Sequence, residues 1–92
     1  MELNENSKIE FGSDVLYKEV TGEMVLLDLK REMYFGLDPV GSRVWQLVSE
    51  DNQYGSLVDR LMDEFNVDAA TLEKDLEKLL ADLEENGLVT VS

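Results

Sequence analysis

The hydrophobic pattern changes period near Leu37. Before it, β-prone stretches are short and broken by turn residues; after it, apolar positions recur every third or fourth residue. Val15–Val20 (VLYKEV) predicts a strand closed by a turn at Thr21-Gly22. Glu23–Leu29 (EMVLLDL) predicts a second strand, apolar on both faces for most of its length. Such a strand belongs in the middle of a sheet, covered on at least one side by helices. Lys30-Arg31 reverse the chain, and Glu32–Leu37 (EMYFGL) forms the third predicted strand. The connections are too short for crossovers, so the strands make an antiparallel meander.

Asp38-Pro39 opens a helix, because Asp caps the first turn and Pro gives up an N–H that would be unpaired there anyway. Val40, Val44, Leu47 and Val48 line one face, with Trp45 on its flank, and the pattern fades at Glu50-Asp51-Asn52. Ser56 is the expected cap of a second helix, whose stripe is Leu57, Leu61, Met62 and Phe65. The third helix is the best specified. Asp68 is its N-cap, Val67 and Leu72 occupy the positions of a hydrophobic staple, and Leu76, Leu79, Leu80 and Leu83 follow at helical spacing. Asn86-Gly87 supplies the left-handed stop, with Leu88 placed to pack on Leu83, and Leu88–Val91 (LVTV) is a last extended piece. Residues 1–13 have no period and are expected to be a loose tail before a single domain over residues 14–92. The order β-β-β-α-α-α predicts an α+β fold: a three-stranded antiparallel sheet followed by three helices gathered on one face.

Composition narrows what such a domain can do. Among 92 residues there is no Cys, which excludes disulfides, thiolate nucleophiles and cysteine-ligated metals. There is also no His, so the usual base near neutral pH and the commonest metal ligand are missing. Twenty-one acids against eight bases give a net charge of −13, which works against nucleic acids and anionic membranes. The acidity either keeps a small protein soluble or speeds encounter with a basic partner. It is uneven: residues 1–49 hold nine acids and five bases, residues 50–92 twelve acids and three bases. The start, MELNENSKIE, is neither basic nor apolar, so no signal peptide is expected and the protein reads as cytoplasmic.

No motif points to catalysis. The carboxylates fall on helix surfaces and caps, where water keeps them ordinary, rather than paired in a cleft. The DNQYG stretch at 51–55 lacks the ligand spacing of a calcium loop, and neither GxxxxGK nor GxGxxG occurs. Gly41-Ser42 is not a nucleophile elbow, for no GxSxG is present and no His could activate the Ser. Neither a metal nor a cofactor is expected, and the chain does not read as an enzyme. The third strand is more informative. In a meander it is an edge, and MYFGL (33–37) carries neither Pro nor an inward charge to protect it. Either Met33, Phe35 and Leu37 face the core and the C-terminal strand covers the edge, or an extended peptide adds a strand there by β-augmentation.

The string VLLDLKREMYFGLDPVGSRVWQLV (25–48) resembles the pyrroloquinoline quinone biosynthesis protein D (PqqD-like) family. Residues 57–89 resemble it too, including Asp75 and the closing Gly87-Leu88, so the likeness covers about residues 15–91. Asp38 stands where the family often has Asn, a change that preserves capping. The resemblance implies a winged helix-turn-helix-like fold and a recognition element for ribosomally made, modified peptides (a RiPP recognition element), of which lasso-peptide systems are one kind. It implies a non-catalytic adaptor that binds the leader of a precursor peptide and presents it to a leader protease, cyclase or radical enzyme of the same pathway. By the same resemblance the leader lies along the third strand, in a groove shared with the third helix. Glu32, Met33, Tyr34, Phe35 and Gly36 would then supply the ladder, and Leu72, Asp75, Leu76 and Leu79 the facing wall. Asp75 would meet a basic or hydroxyl side chain. Two other classes stay open at this stage: a winged-helix transcription factor, which wants more bases in its helices than Arg60, Lys74 and Lys78, and a structural subunit of a larger enzyme complex.

Overall fold

The computed structural model describes residues 2–92. In chain order the elements are β1 (Ile9–Phe11), β2 (Val15–Val20), β3 (Glu23–Asp28), β4 (Met33–Gly36), α1 (Pro39–Glu50), α2 (Tyr54–Glu64), α3 (Ala69–Glu85) and β5 (Val89–Val91). The apolar strand β3 is central, in a sheet of order β2-β3-β4 with antiparallel pairing throughout. Its pleat sends Met24, Leu26 and Asp28 into the interior, while Val25 and Leu27 are half-buried on the opposite face. The α+β expectation and the meander therefore hold. Thr21 and Gly22, both at positive φ, make the tight reversal between β2 and β3.

The expected loose tail over residues 1–13 is corrected. Met1 lies outside the described residues, but Ile9–Phe11 pairs with Val89–Val91 in a second, two-stranded sheet, and Ile9 is buried. That segment also caps α2. The Ser7 carbonyl accepts from the Tyr54 N–H at 2.8 Å and the Glu5 carbonyl from the Gly55 N–H at 3.0 Å. The orphan donors of a helix start are thus met by backbone rather than by a side chain. This is why α2 begins at Tyr54 and Ser56, its expected cap, lies inside the helix. Gly55 permits the approach, since a Cβ there would sit 2.9 Å from the Glu5 carbonyl oxygen.

The other helix ends follow the sequence. Asp38 caps α1 by accepting from the Gly41 N–H at 2.7 Å, and Asp68 caps α3 by accepting from the Thr71 N–H at 2.8 Å. At the end of α3, Gly87 has φ 72° and the Leu88 N–H reaches the Leu83 carbonyl at 2.9 Å, closing a Schellman motif. Two contacts seat α1 on the sheets. Trp45 is interior rather than on a flank: it stacks on Phe11 with centroids 4.0 Å apart and meets Tyr17 edge-on at 5.7 Å. Ser42 is buried, and its hydroxyl accepts from the Met24 N–H at 2.7 Å while donating to the Leu37 carbonyl at 3.1 Å. One α1 side chain thus closes the end of the β3–β4 ladder.

Candidate functional site

Hydrogen-bond parity along β4 settles which backbone groups are free. The Leu37 N–H donates to the Met24 carbonyl at 2.9 Å, across the same register that places Phe35 opposite Leu26 and Met33 opposite Asp28. In an antiparallel ladder bonded pairs alternate with non-bonded ones. The N–H groups of Met33, Phe35 and Leu37 therefore point at β3. Those of Tyr34 and Gly36, with their carbonyls, point away from it. Among the described residues no strand pairs with that outer side: β4 ends its sheet, and β5 pairs with β1 instead of covering it. The expectation that Glu32 joins the ladder is corrected, because it sits in the preceding turn at φ 55°. Phe35 and Leu37 pack against the core, whereas Met33 and Tyr34 are exposed.

Beside the C-terminal end of β4 lies a cavity of ≈330 Å³ between the start of α1, the end of α2 and the first half of α3. It brings together Leu72, Asp75, Leu76 and Leu79, the four wall residues expected on α3. Residues 32–36 border the neighbouring edge and do not line this cavity. The wall residues differ in kind. Leu76 is 3% exposed and belongs to the core as much as to the wall, as does Leu72; Leu79 is half-buried and Asp75 open to solvent. Leu79 is thus the apolar wall residue whose change would least disturb the fold. Val40 and Phe65, which the helix stripes read as core, and Val67, read as part of a staple, instead border the cavity and remain substantially exposed. Exposed large apolar side chains gathered around one hollow make it a candidate binding surface. Asp38 and Asp75 supply its carboxylates.

Two polar ties hold this geometry. Arg31, in the β3–β4 turn, donates through Nη1 to the Asn86 carbonyl at 3.1 Å, and buried Asp28 accepts from the Lys30 and Arg31 N–H groups. The turn is thereby anchored at the end of α3. Arg43 grips Glu64 through two bonds of 2.7 Å, joining α1 to the end of α2 at positions next in the chain to the lining residues Val44 and Phe65. The hydrogen bond from Arg43 holds the Glu64 carboxyl below its ordinary pKa, and the Thr71 N–H and hydroxyl do the same for Asp68. A carboxyl made more acidic by folding contributes stability that is whole above its unfolded pKa and is lost as pH falls through the lowered folded value. The melting-temperature margin of wild type over Glu64→Gln should therefore be present at neutral pH and vanish in acid. A margin that is constant with pH would contradict the pairing.

Residues 23–89 match the family described as coenzyme PQQ synthesis protein D (PqqD). No curated protein sequence matches the chain. Among solved structures, TbiB1 in complex with the TbiA(beta) leader peptide matches with a TM-score of 0.84 at 38% identity, over 87% of this chain and 93% of that one. Lasso peptide synthetase B1 complexed with the leader peptide matches with a TM-score of 0.81 at 22% identity, over 90% of this chain and 98% of that one, a likeness of fold. Strand order, helix caps and the family match over most of the chain agree: this protein belongs to the PqqD family.

Proposed function

We propose that the protein is a non-catalytic, cytoplasmic adaptor that holds the leader of a ribosomally made precursor peptide as an added strand on β4. It presents that peptide to a protease, cyclase or radical enzyme of the same pathway. The observation that carries this reading is the free edge at Tyr34 and Gly36, which the chain leaves two residues before Asp38 on the rim of an apolar hollow. An edge of unpaired donors and acceptors supplies affinity, and a neighbouring hollow that reads alternate side chains supplies specificity. The two structural relatives, each solved with a leader peptide, support it. In this reading Tyr34 and Gly36 make the ladder, Leu72, Leu76 and Leu79 form the apolar wall, and Asp75 meets a basic or hydroxyl side chain. Nucleic-acid binding through α2 and α3 is disfavoured, because residues 50–92 carry twelve acids against three bases.

The test is to mix the purified protein with a precursor peptide of its pathway. A stable complex with the peptide's mass unchanged is the expected result. A peptide modified or cleaved without a second protein would overturn the assignment, and so would absence of binding. The acidity of α2 and α3 adds an expectation about the leader, namely that it carries basic residues near α3. Affinity should then weaken as salt rises, since the screening length shrinks from about 10 Å at 0.1 M to about 3 Å at 1 M. An affinity that is flat across that range would mean the charge serves solubility alone.

A further inference from the structure

Gly36 is a residue the fold itself does not ask for. It lies in an exposed edge strand, its φ is outside the left-handed region, and a Cβ built on it would meet nothing within 4 Å among the described residues. Gly55 is the contrast, where a Cβ would strike the Glu5 backbone. Glycine weakens a strand, and one that, like Gly36 at the end of β4, neither turns nor bulges the chain suits a place where another chain comes close.

The pleat says what comes close. Residues directly opposite one another in a sheet share a face, so the side chain missing at Gly36 would lie on the outer face with Val25 and Lys18, away from the helices. The next row on that face is Leu16, Leu27 and Tyr34. Between these rows runs an open trough of ≈590 Å³ in which Leu16 and Tyr34 are 55% and 75% exposed. A peptide strand paired with Tyr34 and Gly36 must send alternate side chains to this outer face and the intervening ones toward α3. Opposite Gly36, nothing stops an outer side chain from lying down across β4 onto Val25.

We propose that this outer trough is a second specificity site, taking one large apolar or aromatic side chain of the bound peptide, laid over Gly36 against Val25 and Tyr34. The inference rests on the strand-addition reading above. The occupant is the added strand's own side chain rather than a second copy of this protein. The trough is continuous with the edge that the strand occupies, and two chains of charge −13 repel.

The experiment selects short random peptides displayed on their encoding nucleic acid against the immobilised full chain. The enriched peptides are then assayed by fluorescence anisotropy on wild type, Tyr34→Pro, Gly36→Ala and Gly36→Val, with melting temperatures in parallel. The enriched pool should share one large apolar or aromatic position. Gly36→Val should raise the melting temperature by about 2–5 °C, a β-branched residue replacing glycine in a strand. It should also weaken binding roughly tenfold or more, by lifting that side chain off Val25. Gly36→Ala should fall between. Peptides lost by Tyr34→Pro but indifferent to Gly36→Val, or lacking the shared apolar position, would overturn this inference alone. An unenriched pool, or one whose binding survives Tyr34→Pro, would overturn strand addition and the inference with it.

Discussion

Tyr34→Pro and Gly36→Pro are expected to stay folded and to lose leader affinity by about tenfold or more, whereas Phe35→Pro is expected to unfold or melt far lower. The three positions are consecutive, and the difference is one of parity. Proline removes an N–H and fixes φ near the extended range, which an edge strand tolerates when the lost donor faces outward. The Tyr34 and Gly36 donors face outward, so the β3–β4 ladder keeps its bonds. What disappears is a bond to the incoming strand, and the ring occupies the position its carbonyl would take. At Phe35 the lost donor serves Leu26, and the buried carbonyl left unpaired costs about 1–3 kcal/mol before the lost packing of the ring is counted. Melting temperature and affinity measured on each variant separate the two outcomes. Normal binding by a folded Tyr34→Pro would remove β4 as the docking strand.

The second large effect concerns the fold. Trp45→Ala should cost about 3–5 kcal/mol, the usual range for deleting a large buried aromatic. A domain of 92 residues has roughly 5–14 kcal/mol in total, so the loss is a large share of it. The melting temperature should fall by about 15–30 °C. Trp45 is 2% exposed and touches both sheets from α1, face to face with Phe11 of β1 and edge-on with Tyr17 of β2. Its Nε1–H meets no hydrogen-bond acceptor among the described residues, and the two ring contacts are what it supplies. A drop below about 5 °C in thermal denaturation would show that this stack is peripheral to stability.

Local chemistry made most of the fold legible. The apolar run in Glu23–Asp28, the Asp38-Pro39 start and the Asn86-Gly87 stop each act within a few residues of themselves, and each appears where the chain announces it. What stayed hidden depends on partners far away in sequence. Ile9–Phe11 is a strand because Val89–Val91 lies beside it, and neither segment is long enough to show a period alone. Tyr54 starts α2 because Glu5 and Ser7 offer carbonyls, a pairing that no cap residue advertises. Trp45 reads as a flank residue only while Phe11 is thought to be in a loose tail. The same division runs through the candidate site. The open edge could be read from what MYFGL lacks, but the outward set, Tyr34 and Gly36, follows from one bond between Leu37 and Met24. The family resemblance put Leu76 and Leu79 on one wall and could not tell that the first is also core.

Amide hydrogen exchange, followed residue by residue by NMR with and without a saturating leader peptide, tests strand addition most directly. Tyr34 and Gly36 face solvent in the free protein and should become strongly protected in the complex, while Phe35, already bonded to β3, should change little. Protection that leaves Tyr34 and Gly36 exchanging as fast as in the free protein, with the perturbed amides elsewhere, would contradict the account.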